Sequence, residues 1–310
     1  MSPSQTKANG SRRDFIKTGA VAGAAVLAQT QSTSAQPAMP QAQFGKYKIS
    51  RLLMGSNPML GYSHMTNLVS DMMQEYYTIE NMVKALRHCT EQGINTLQSS
   101  YNPKMSEALQ KFRAEGGEMQ WVCLASNELI GKPDEIKAMM ELHKPIAVAH
   151  HGWITDRLYR DGQLNQAKHF IKTIRSYGVM AGMSTHNPEI LQYMHDEQWD
   201  VDFYMASCHY ISRSDEELIA KLGQLPIPKR EVYLEGDPPA MLDVVKKVDK
   251  PVLVYKILAA GRFCNRAEDV ENRFQFAFEH IKKNDAVIVG MFQKFHDQVV
   301  QNAEFTRKYA

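Results

Sequence analysis

Short runs of apolar residues alternate with longer amphipathic stretches from Tyr47 onward, which is the pattern of repeated parallel β/α units. The apolar runs predict strands at 49–54, 96–98, 121–125, 146–150, 179–184, 203–207, 252–255 and 286–289. Runs such as Ile146-Ala147-Val148-Ala149 are apolar at every position, as strands buried on both faces are. Between them, Thr78 caps a stretch that carries Ile79, Met82, Val83, Leu86 and Cys89 at helical spacing and is closed by Gly93. Further helices are predicted at 106–113, 134–142, 164–176, 188–195, 239–248, 268–282 and 294–308. Eight such units in a domain of about 260 residues, with no glycine-rich phosphate loop after the first strand, favour a closed (β/α)8 TIM barrel of the α/β class over an open doubly wound sheet.

The first residues do not share this pattern. Ser11-Arg12-Arg13-Asp14-Phe15-Ile16-Lys17 is followed by a mildly apolar run at 18–28, which is the pattern of a twin-arginine signal. That run is too short to span a hydrocarbon core of about 30 Å, so no stable transmembrane anchor is expected. Small residues at Thr33-Ser34-Ala35 offer a cleavage point, and the stretch to Gln43 is rich in Gln, Pro and Ala. The chain therefore divides into a signal and linker at 1–43 and a single barrel domain at 44–310. Its expected location is the periplasm, reached through the twin-arginine translocase, which carries proteins already folded around any cofactor.

Composition narrows the partners. With 44% hydrophobic and 23% charged residues the chain can bury a sizeable core. The 36 basic and 34 acidic residues are interspersed, and a net charge of +2 gives no field for a nucleic acid to follow. Cys89, Cys123, Cys208 and Cys264 have no CxxC spacing and build no disulfide framework. Met59, Met65, Met72 and Met73, in the long first loop, read as a pocket lid, a partner-facing patch or core packing.

Several strings resemble the aldo-keto reductase family and together cover nearly the whole barrel. They are Ile49-Ser50-Arg51-Leu52-Leu53-Met54-Gly55, Gly93-Ile94-Asn95-Thr96-Leu97, Gly182-Met183-Ser184-Thr185-His186-Asn187-Pro188-Glu189 and Val287-Ile288-Val289-Gly290 with Gln298-Val299 and Gln301-Asn302. The resemblance implies an aldo-keto reductase-like barrel and NADP as a cofactor. It also implies an Asp and a Tyr after the second strand, a Lys ending the third and a His ending the fourth. Here Gln98 stands at the Asp position, Tyr101 falls two places before the Tyr, Ser126 or Asn127 stands at the Lys, and His150 matches. At the cofactor end, Gly290 and Lys294 occupy the stretch that meets the 2′-phosphate. Arg262, after Lys256 and Gly261, lies where the family has its pyrophosphate loop, in a set that suits phosphate or carboxylate equally.

Barrel enzymes carry their sites where strands end, and these ends are rich in histidine. His150-His151, Ser184-Thr185-His186 and Ala206-Ser207-Cys208-His209-Tyr210 follow three neighbouring strands. His150, His186 and His209 are candidate ligands for a divalent metal, and His150, His209, Lys256 and Tyr210 are candidate catalytic groups. Direct acid/base, substrate-binding and purely structural roles are alternatives for each histidine. Lys256 has three readings: a Schiff base, an anion contact, or a pair with Glu235. Asn57, Gln98, Asn127, His151, Trp153 and Glu235 complete a set suited to a small polyhydroxylated substrate.

Three functions are compatible with these residues. The first is an exported enzyme for a small carbonyl or sugar-derived substrate, working by metal-assisted or histidine-based proton transfer as an isomerase, epimerase, lyase or hydratase does. The second is an NADP-dependent oxidoreductase with a rearranged proton donor, His150 with Tyr101 or Tyr210. The third is a ligand-binding barrel without catalysis.

Overall fold

The computed structural model describes residues 37–227 and 230–310, so the twin-arginine segment lies outside the described residues. Residues Ala38–Ala310 form one compact unit. The chain first makes a hairpin from β1 (Gln41–Phe44) and β2 (Tyr47–Ser50), paired antiparallel with Phe44 opposite Tyr47. It then enters β3 (Leu52–Gly55), β4 (Thr96–Ser100), β5 (Gln120–Ala125), β6 (Ala147–His150), β7 (Met180–Thr185), β8 (Phe203–Ser207), β9 (Val252–Tyr255) and β10 (Ala286–Gly290). These last eight pair in parallel and close, with β10 returning to β3 through Val287 opposite Leu52 and Gly290 opposite Gly55. The (β/α)8 barrel expected from the sequence is the fold observed.

Two corrections follow from local chemistry. The apolar stretch 49–54 is not one strand: it breaks at Arg51, whose guanidinium turns to the backbone oxygens of Asp285 (3.0 Å) and Lys282 (2.9 Å) beneath the barrel. Ile49 thus belongs to the hairpin and Leu53 to the barrel. Three helices also arise where none was expected, at Asn67–Tyr76, Gly152–Arg160 and Asp215–Leu222. The last has a full capping box, in which Ser214 and Glu217 satisfy one another's backbone amides, and ends on Gly223 in the left-handed region. The helix at Asn67–Tyr76 buries none of its residues, so tertiary apolar periodicity gave it no signature.

Strand alternation sorts the core into two layers. Leu53, Val122, Ala147, Ala149, Phe203, Met205, Leu253, Ala286 and Ile288 point into the barrel. The alternate residues, among them Leu52, Met54, Leu97, Trp121, Val148, Val254 and Val287, meet the helices outside. The hairpin closes the bottom of the inner layer: Ala42, Phe44 and Ile49 are buried with it, and Phe44 packs edge-on against Phe203 at 4.9 Å. Water is thereby excluded from one end of the barrel, which leaves the C-terminal ends of the strands as the open mouth.

Candidate active site at the barrel mouth

Two cavities open at the mouth and share the wall formed by Ser56, Asn57, Tyr62, His64, Gln98, Tyr255 and Lys256. A polar cavity of about 570 Å³ spreads over the ends of β4 to β7 and is lined further by Tyr101, Asn127, His151, Trp153, Ser184 and His186. A second cavity, of about 470 Å³, runs between the ends of β9, β10 and β3 past Gly290, Arg266, Gln298, Gln301 and Asn302. Asn57, Gln98, Asn127, His151, Trp153 and Gly290 are therefore brought together at the mouth as the sequence placed them.

His186 has the most complete support. Its Nδ1 lies 2.9 Å from Oδ2 of Asp156, a carboxylate buried on the helix Gly152–Arg160. The same carboxylate accepts the His186 amide (3.1 Å), the Thr185 hydroxyl (2.5 Å) and the Ser212 hydroxyl (2.6 Å). A carboxylate so surrounded accepts from a protonated Nδ1 and fixes that tautomer, leaving Nε2 as an acceptor in the cavity wall with no protein partner among the described residues. Trp153 and Tyr255 flank the ring at 5.3 and 5.6 Å. Gly152 makes the approach possible, because a Cβ there would stand 2.9 Å from Cε1 of His186 and 3.1 Å from both Ser184 Oγ and Tyr255 Oη.

Lys256 is the second focus. Its backbone takes φ 61°, a conformation that costs an L-residue of order 1 kcal/mol or more and persists only where the surroundings impose it. Ala259 and Ala260, at φ 46° and 53°, continue the strained turn after β9. The Lys256 ammonium sits 3.6 Å from Glu231, too far for a hydrogen bond. Burial pushes its pKa down to about 8, against the pull of that carboxylate. Glu231 also resists burial, yet is held at about 2 by the hydrogen bond from His64 (2.9 Å), by Lys256, and by the Tyr233 hydroxyl (2.6 Å). Asn57 completes the chain at 2.9 Å from the other nitrogen of His64.

The remaining expectations are corrected. His150, His186 and His209 do not converge, and the described residues hold no group of three side chains able to bind a metal ion. His150 ends its strand in the parity of Val148, so its ring faces outward, bonded to Thr155 (2.8 Å) and packed against Phe170, with burial holding its pKa near 3. The inward parity of Ala147 and Ala149 belongs to His151, which burial lowers to about 4. His209 is carried away by a turn in which Ser207 bonds its amide and carbonyl, and its ring rests between Tyr233 and Phe263. Tyr210 points away from both cavities, to Glu217 (3.1 Å) and Asn187 (3.1 Å). Glu235 is exposed and lines neither cavity; Glu231 is the partner of Lys256 instead. Lys294 lies 3.9 Å from Glu75, and Arg262 stacks on Tyr233 at 3.9 Å while bonding the His64 carbonyl, so neither lines the second cavity. Asp156, Glu231 and His64 were missed. Asp156 alone had a usable signal, since it follows Gly152 by four residues on one helix face just after a strand end.

The family model for the TAT (twin-arginine translocation) pathway signal sequence matches residues 11–28, and the protein is exported by that route. No helix among the described residues is long and apolar enough to cross a membrane. No curated protein matches the chain. Among solved structures it is similar to Gox0644 in its apo form, at 10% identity over 88% of this chain and 94% of that one, with a TM-score of 0.51. It is also similar to a truncated 3-deoxy-D-arabino-heptulosonate 7-phosphate synthase from Thermotoga maritima, at 13% identity over 88% and 91% of the two chains, with a TM-score of 0.50. At such identities these likenesses concern the fold alone. The protein is an exported (β/α)8 barrel, a fold that enzymes carry.

Proposed function

We propose that this protein is an exported enzyme that moves a proton on a small carbonyl or sugar-derived substrate bound in the polar cavity. The observation that carries the reading is the Asp156–His186 pair, which presents the imidazole Nε2 in the wall of that cavity. In this reading Nε2 takes the proton from the carbon beside the carbonyl, and Asp156 stabilises the imidazolium that forms. The Lys256 ammonium faces the charge that develops on the carbonyl oxygen, while Gln98, Asn57 and Asn127 bond the hydroxyls. Trp153, partly exposed at the rim, offers a face for a sugar ring. Isomerases, epimerases and lyases share this step, and no part of it is routed through a metal. The test is proton exchange in deuterated water, followed by NMR, with a panel of dihydroxyacetone, glyceraldehyde and pyruvate. Wild-type protein is expected to exchange the α-protons of a panel member about 10²-fold faster than His186→Gln. Equal rates for the two proteins reject the reading.

The second cavity favours a second reading, an NADP-dependent oxidoreductase of the aldo-keto reductase kind. Its residues fit a dinucleotide by class: Arg266 for a phosphate, and Gln298, Gln301 and Asn302 for the edges of a base. When bound there, the nicotinamide supplies hydride. Tyr101, in the wall of the adjoining cavity, is then the proton donor. Saturable quenching of NADPH fluorescence, weakened in Arg266→Ala, is the result it predicts.

A further inference from the structure

Lys256 is placed as no purely structural lysine needs to be. Its side chain is 8% exposed in the wall common to the two cavities, and its Nζ has no hydrogen-bond partner among the described residues. Glu231 takes its hydrogen bonds from elsewhere, one oxygen from His64 and the other from Tyr233, and offers Lys256 an ion pair alone. The left-handed φ at Lys256 is a cost accepted for the direction in which the side chain leaves the strand end. A buried amine with no hydrogen bond, its ion-pair partner Glu231 3.6 Å away, in the wall of a carbonyl-sized cavity has the environment of a nucleophile.

Resting on the assignment of His186 as the base given above, we propose that Lys256, rather than acting only as an ammonium beside the carbonyl oxygen, condenses as the free amine with the carbonyl of a small keto acid to form an imine. The amine lone pair adds to the carbonyl carbon, and the proton released from nitrogen reaches the carbonyl oxygen through water in the open cavity. The carbinolamine then loses water and leaves a C=N bond, so that no oxidant or reductant is consumed. Protonated, that bond draws electrons from the adjacent carbon, whose proton passes to Nε2 of His186. The pKa, pushed down to about 8 by burial, agrees with this geometry, because it makes the neutral amine more available at pH 7 than in an ordinary lysine. The acid group of the substrate is assigned from charge. Arg157 and Arg160 line the same cavity as Lys256, and among the described residues Glu128 is the one carboxylate in its wall.

The test is reductive trapping of the full chain with pyruvate and cyanoborohydride, read by intact mass and peptide mapping. The expected result is one adduct per chain on Lys256, formed faster at pH 8 than at pH 6 and absent in Lys256→Met. Hydroxyacetone, a ketone without the carboxylate, is expected to trap about tenfold more slowly, and Arg157→Ala to narrow that difference. Glu231→Gln retains the amine while removing the charge that holds its proton, so it should trap faster than wild type at pH 7. No adduct, adducts spread over surface lysines and unchanged in Lys256→Met, or Glu231→Gln trapping no faster than wild type overturns the proposal. Loss of trapping with His186-dependent exchange intact removes the imine alone, whereas loss of both removes the reading of the mouth beneath it.

Discussion

Asp156 and His186 meet at 2.9 Å, and every other hydrogen-bond partner of that carboxylate among the described residues donates to it. The pair is set by two elements, the helix that follows β6 and the strand end of β7, so the ring is oriented by packing as well as by its hydrogen bond. Asp156→Asn keeps the shape and removes the charge that fixes the tautomer. It is expected to fold and to lose about 10²-fold or more in α-proton exchange. Exchange rates normalised to folded protein check this, and a rate within a factor of two of wild type would exclude the pair from the reaction.

Gly152→Ala probes the same relationship through sterics. The added methyl would enter the space of His186, Ser184 and Tyr255 at once, and overpacking of that kind costs about 1–3 kcal/mol. Because the neighbours that must yield are in the cavity wall, activity should fall further than stability does. Melting curves and exchange rates measured together distinguish this from simple destabilisation.

The fold was legible in the sequence because strands such as Val252–Tyr255 and Ala286–Gly290 are continuous apolar runs, and Thr78 and Gly93 punctuate the helix Ile79–Glu91. The same continuity hid the site. In a run such as Ile146-Ala147-Val148-Ala149 both faces are apolar, so the run does not say which of His150 and His151 turns inward. His209 was misplaced for a related reason: the parity of Phe203, Met205 and Ser207 points it inward, but the Ser207 turn redirects it. Glu231 and His64 come from loops whose meeting depends on closure over the mouth, and neither periodicity nor spacing encodes that. Arg51 shows the opposite case, a polar residue inside an apolar stretch that marks where the hairpin ends and the barrel begins.

Stability should depend on acid through buried imidazoles. His150, His151 and His209 are lowered from about 6.5 in the unfolded chain to about 3, 4 and 4, in each case chiefly by burial. Between pH 6.5 and 4 the unfolded chain therefore binds more protons than the folded one, and stability falls as pH falls. Each extra proton steepens the slope by up to about 1.4 kcal/mol per pH unit. Denaturant titrations at pH 7 and pH 5 are expected to show a lower midpoint at pH 5, and His150→Gln should flatten the dependence.

The bottom of the barrel supplies the control. Phe44 is fully buried against Phe203 at the end of the barrel remote from the mouth. Phe44→Ala should cost about 3–5 kcal/mol through the cavity left in the inner layer. Below the lowered melting temperature, exchange per folded molecule is expected to remain that of wild type, and a large loss of activity there would show that the plug also shapes the site.

The most direct test of the account compares two histidines that follow neighbouring strands. α-Proton exchange on the responsive panel member is measured for wild type, His186→Gln and His150→Gln, each normalised to folded protein. Loss of about 10²-fold in His186→Gln with near wild-type exchange in His150→Gln is the predicted result. Retained exchange in His186→Gln together with its loss in His150→Gln would contradict the account and return the chemistry to the strand-end histidine that the sequence favoured.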